Sequence, residues 1–124
     1  MRTALTLALL LLVSSTFAQA EIKFEKRTQK FEKVKAGESL SFDFLFFNTG
    51  TEPLIVSEVK VSCGCTKPEF SKAPVLPGES ATIHVRFDTK GKIGYQDRVL
   101  EVYSNAKNNP AKIRFKGMVD HKSK

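Results

Sequence analysis

"SLSFDFLFFN", residues 39–48, decides the fold. Leu40, Phe42, Phe44 and Phe46 fall on one parity, with Ser39, Ser41 and Asp43 on the other. Side chains of an extended strand alternate between faces, so this is a half-buried β-strand with one wet face. The same period recurs downstream. "ATIHVRFD" (residues 81–88) sets Ile83, Val85 and Phe87 against His84, Arg86 and Asp88. "AKIRFKG" (111–117) sets Ile113 and Phe115 against Lys112, Arg114 and Lys116. "LIVSEVKVS" (54–62) and "DRVLEVYS" (97–104) are rich in valine and leucine and also read as strands. Shorter edge strands are predicted around Ile22 and Phe24 and near Phe31 and Val34.

The breaks between these runs carry turn chemistry. Asn48, Gly50 and Asn105 belong to the loops "NTGTEP" and "SNAKNNP" and read as turn-formers. Pro77-Gly78 suits the centre of a type II turn, where glycine accepts the positive φ that position requires. "GKIG" (91–94) reads as a hairpin turn. No segment keeps a helical period over three turns. About seven antiparallel strands at near-regular spacing give an all-β fold, an immunoglobulin-like β-sandwich. The chain has no Trp, so the cysteine-tryptophan-cysteine pattern of antibody domains is absent.

Residues 1–20 stand apart. A short basic start precedes the apolar "ALTLALLLLV", and "FAQA" ends it with Ala18 and Ala20 at small-residue positions. That is the pattern of a signal peptide removed before Glu21, leaving residues 21–124 as one domain. No other long apolar run follows, so no membrane span is predicted. The expected location is the periplasm, with secretion or the cell surface as the alternative. The net charge is +7, but lysines are scattered among glutamates, and export removes the usual nucleic-acid partners.

Both cysteines of the chain lie in "SCGC", residues 62–65. Were the preceding strand to continue, Cys63 and Cys65 would share a face with Ile55, Val59 and Val61, about 6.6 Å apart. A disulfide then demands a bend, which Gly64 tolerates. Its three-residue loop yields only about 1.6 kcal/mol by chain entropy, against about 4.7 for a 100-residue loop. Three readings stay open for Cys63-Gly64-Cys65. One is structural, as a local disulfide or two buried thiols. Another is a redox pair, aided by the nearby cation Lys67. The third is a metal site; zinc lacks ligands, with only His84 and His121 available, whereas copper(I) suits two thiolates.

No catalytic constellation is recognisable. Ser62 has no general base at recognisable spacing, Asp88 reads as a turn residue, and no phosphate-binding glycine loop occurs. The chain is therefore read as a non-enzymatic envelope module without a required cofactor. It would bind another protein through an edge strand or its loops, and Phe47 is the candidate for an exposed contact.

Taken together, Asn48-Thr49-Gly50, Ser62-Cys63-Gly64-Cys65-Thr66, Pro77-Gly78-Glu79 and Ser104-Asn105-Ala106 carry a resemblance. From about Phe31 to Val119 the chain resembles the bacterial domain of unknown function numbered 1573. That resemblance implies an exported immunoglobulin-like sandwich, akin to bacterial chaperone and cilia-associated domains, and no established activity.

Overall fold

A computed structural model describes residues 18–121; the expected leader lies outside the described residues as far as residue 17. Eight strands run in chain order: β1 (Ile22–Phe24), β2 (Thr28–Lys35), β3 (Ser39–Asn48), β4 (Val56–Lys60), β5 (Thr66–Glu69), β6 (Ser80–Asp88), β7 (Gly94–Ser104) and β8 (Ala111–Asp120). They form two four-stranded sheets, ordered β1-β3-β6-β5 and β2-β8-β7-β4. No helix among the described residues is long and apolar enough to cross a membrane.

The alternation in the three clearest runs becomes the inner faces of the two sheets. Phe44, Ile83, Phe87, Leu100, Ile113 and Phe115 are fully buried between them. Each such side chain contributes about 1.5–3 kcal/mol by leaving water. At one end the rings interlock: Phe42 stacks on Phe115 at 4.7 Å between centroids, and Phe87 meets Phe115 at 5.0 Å. Phe31 of β2 closes the cluster against Phe42 and Phe87. It fits because Gly117 of β8 has no side chain; a Cβ there would stand 2.5 Å from the Phe31 ring.

Four features differ from the sequence reading. First, there are eight strands, the extra one being β5. Its four residues include Pro68, which lacks a donor and is tolerated because β5 is a sheet edge. Second, not every pair is antiparallel. The chain leaves β1 in one sheet and enters β2 in the other, where β2 runs parallel to β8. Third, "GKIG" is not a hairpin turn, because it carries the chain from β6 in one sheet to β7 in the other. Fourth, a bulge between Val56 and Glu58 breaks the parity along β4, so Val56 and Val59 are both buried while Ile55 is 40% exposed.

Candidate functional site: the cysteine corner and the open edge of β3

β4 stops at Lys60, so the cysteines do not continue a strand; they form the corner where the chain changes sheet before β5. Their shared face with Ile55 therefore does not exist. The Thr66 N–H donates to the Cys63 carbonyl at 3.1 Å and closes the turn. The Asp88 N–H donates to the Cys65 carbonyl at 2.9 Å, tying the corner to the end of β6. Within this bend Cys63 and Cys65 are joined by a disulfide, their Cα atoms 5.2 Å apart. Both are half-buried, and Cys65 packs against the core. Gly64 is exposed, its φ lies outside the left-handed region, and a Cβ there would meet nothing within 4 Å. The bend is thus not one that only glycine can make.

The other candidates are scattered. His84 is exposed on the outer face of its sheet, its Nδ1 2.5 Å from Asp43 Oδ1. His121 lies beyond β8, and Lys67 sits on β5 opposite Arg86. Among the described residues no three His, Cys, Asp or Glu side chains are placed to hold a metal. Phe47 is 38% exposed.

Asn48 and Asn105 do more than form turns. Asn48 is buried; its Nδ2 donates to the carbonyls of Glu52 (2.7 Å) and Val75 (2.9 Å), and its Oδ1 accepts from the Gly50 N–H (2.9 Å). Asn105 Nδ2 donates to the Pro53 carbonyl, and its Oδ1 accepts from the Ile55 N–H. The two side chains pin the loop of residues 49–55 from both ends. Leu76-Pro77-Gly78-Glu79 closes as a type II turn, with the Glu79 N–H on the Leu76 carbonyl and Gly78 at φ +82°.

A second feature comes from strand length. β1 pairs only with Phe46–Asn48, three of the ten residues of β3. On the other side β3 is paired with β6 along Ser39–Phe47. The N–H and C=O of Asn48 both bond on the β6 side, to Glu79 and Gly78. Backbone groups alternate sides along an antiparallel strand, so odd-numbered residues aim outward. The Leu45 carbonyl accordingly accepts from the Glu25 N–H, and the Asp43 carbonyl from Gln29 Nε2 (2.6 Å). Past these, the N–H and C=O of Ser41 and the N–H of Asp43 face outward with no strand opposite among the described residues. Beside Asp43 and Leu45 runs a groove of about 630 Å³ rimmed by Glu25, Lys26 and Lys30. The lengths alone leave this edge open, because a strand as short as "IKF" cannot cover one as long as "SLSFDFLFFN".

Residues 22–119 match the family described as "protein of unknown function (DUF1573)". The chain belongs to that family. No curated protein matches it. Among solved structures, this DUF1573 domain is similar to a protein of unknown function from Porphyromonas gingivalis W83. The TM-score is 0.72 at 14% identity, over 87% of this chain and 50% of that one. The domain thus spans half the length of that protein. PapD-like domain 7 of human CEP192 gives 0.65 at 10% identity, over 90% of this chain and 95% of that domain. The SrpA adhesin of Streptococcus sanguinis gives 0.56 at 11%, over 88% of this chain and 61% of that one. At these identities the likeness is one of fold: an all-β, PapD-like sandwich.

Proposed function

We propose that this DUF1573 domain is an exported, non-enzymatic binding module of the bacterial cell envelope, taking an extended segment of another protein as an added strand along β3. The observation that carries this reading is the open run of outward-facing backbone groups at Ser41 and Asp43 beside a groove with charges of both signs. An uncovered edge is a template for strand addition, in which main-chain hydrogen bonds give affinity and flanking side chains give selectivity.

The test is photo-crosslinking in the envelope from a probe at Ser41, with a probe at Lys112 on the other sheet as control. Adducts from position 41 that map to one extended peptide are expected. Asp43→Pro, which removes an outward donor but no ladder bond, should abolish them in the chain carrying the probe at position 41 while far-ultraviolet circular dichroism stays unchanged. Adducts from Lys112 with none from position 41 would refute the reading.

A second reading, thiol redox or copper(I) binding at Cys63 and Cys65, is favoured by one observation. The disulfide spans only two positions in sequence, so cross-linking stabilises it little. Thiol counting and elemental analysis on protein purified without reductant separate the two. A disulfide that resists mild reductants, with no bound metal, removes this second reading.

A further inference from the structure

Residues 19 and 20 are built into the sandwich. The Gln19 carbonyl accepts from the Thr51 N–H at 3.0 Å, and the Ala20 carbonyl from the Lys107 N–H at 2.9 Å. Ala20 is 2% exposed and belongs to the same cluster as Ile22 and Phe46. The backbone of Gly50 lies directly against this segment. A Cβ on Gly50 would stand 2.1 Å from the Gln19 carbonyl oxygen and 2.8 Å from the Ala20 carbonyl carbon. The φ of Gly50 is not in the left-handed region, so glycine is required here for space, which the backbone of Gln19 and Ala20 occupies together with the Glu21 nitrogen at 2.6 Å; only this last contact remains in a chain that begins at Glu21. Ala18, one residue earlier, is exposed.

In sequence the end of the leader is degenerate. Ala18-Gln19-Ala20 offers two alanines for a cut after Ala20, and Thr16-Phe17-Ala18 offers a threonine and an alanine at the same two positions for a cut after Ala18. Removing residues 19 and 20 would strip two partners from the backbone donors of Thr51 and Lys107 and empty the slot under Ala20. We propose that the leader peptidase cuts between Ala18 and Gln19, so that the mature chain begins at Gln19. The step is hydrolysis: water adds across the Ala18–Gln19 peptide bond, Ala18 leaving as a carboxylate and Gln19 becoming the terminal ammonium. The proposal rests on the export reading above, but the two fail differently.

The experiment is expression with the native leader in a bacterial host, followed by intact-mass measurement of the exported protein. A chain starting at Gln19, with or without cyclisation of that glutamine, is expected. A chain starting at Glu21 overturns the proposal and leaves export standing. An uncut cytoplasmic chain overturns both. A second measurement compares urea midpoints of chains made to begin at Gln19 and at Glu21. The longer should have the higher midpoint, and Gly50→Ala should lower it more than in the shorter. Equal midpoints, or equal responses to Gly50→Ala, would overturn the structural argument.

Discussion

Asn108 holds Ile22 by both of its backbone groups. Its Nδ2 donates to the Ile22 carbonyl at 2.7 Å, and its Oδ1 accepts from the Ile22 N–H at 3.1 Å. The amide thus stands in for a neighbouring strand on the side of β1 away from β3, across 86 positions of sequence. Asn108→Ala should cost about 1–3 kcal/mol, since two groups of a short strand lose their partners together. The measurement is a urea melt with amide exchange at Ile22. Unchanged exchange there would show that water replaces the side chain without loss.

Two glycines should respond very differently to alanine. At Gly117 the new Cβ would meet the Phe31 ring and its carbonyl oxygen, each at 2.5 Å, so Gly117→Ala should cost about 1–3 kcal/mol through overpacking. Adding Phe31→Leu should relieve only the ring's share. Gly64→Ala meets nothing and needs no left-handed backbone, so it should stay within about 0.5 kcal/mol of the parent. Denaturant midpoints of the three variants check this, and a large loss at Gly64 would contradict it.

The cysteine pair should matter less to stability than a core ring. Replacing Cys63 and Cys65 together by serine should cost about 1–3 kcal/mol, combining a short-loop cross-link with two half-buried sulfurs made polar. Phe44→Ala should cost about 3–5 kcal/mol, because a fully buried ring leaves a cavity. If the double-serine protein failed to fold while Phe44→Ala survived, the disulfide would rank above the core.

Tyr103 should titrate above the ordinary phenol value of 10.0. Its hydroxyl donates to Glu101 Oε2 at 2.8 Å, a bond that only the neutral phenol can make, with burial and the charges of Glu101 and Glu58 adding to the effect. A raised folded value means that the contribution to stability is fully present below the unfolded tyrosine value. It is lost as pH rises through the folded value. Ultraviolet difference titration of wild type and Glu101→Gln checks this; the variant's midpoint should fall toward 10.0.

Much of this architecture is legible in the sequence, and the limits have physical causes. Wherever one strand face is wet and the other dry, as in β3, β6 and β8, period two names the buried residues correctly: Phe44, Ile83, Phe87 and Phe115. It fails at β4 because a bulge adds a residue without changing composition, moving the buried positions from Ile55 to Val56. It fails at β5 because Pro68 argues against any strand and is excused only by an edge position that sequence does not reveal. Sheet membership is hidden for the same reason, so a crossover such as 88–94 looks like a hairpin. Asn48, Asn105 and Asn108 show only their turn chemistry in sequence. The partners they grip lie up to 86 residues away, and no local pattern encodes them.

The parallel pairing of β2 with β8 gives the domain a direction of mechanical strength. Thr28 lies opposite Arg114 and Lys35 opposite Asp120, so the two strands run side by side in one sense. A tether on the N-terminal side of β2 and another beyond β8 pull these strands along their own axes in opposite senses. Their cross-strand bonds are then loaded in shear and must give way together rather than one after another. A load entering through β4, at the far edge of that sheet, finds an antiparallel neighbour and can open it stepwise. Held just before β2 and just beyond β8, these two strands should act as a stiff link and part in one abrupt event, whereas a pull on the chain ahead of β1 must first free that three-residue strand from β3.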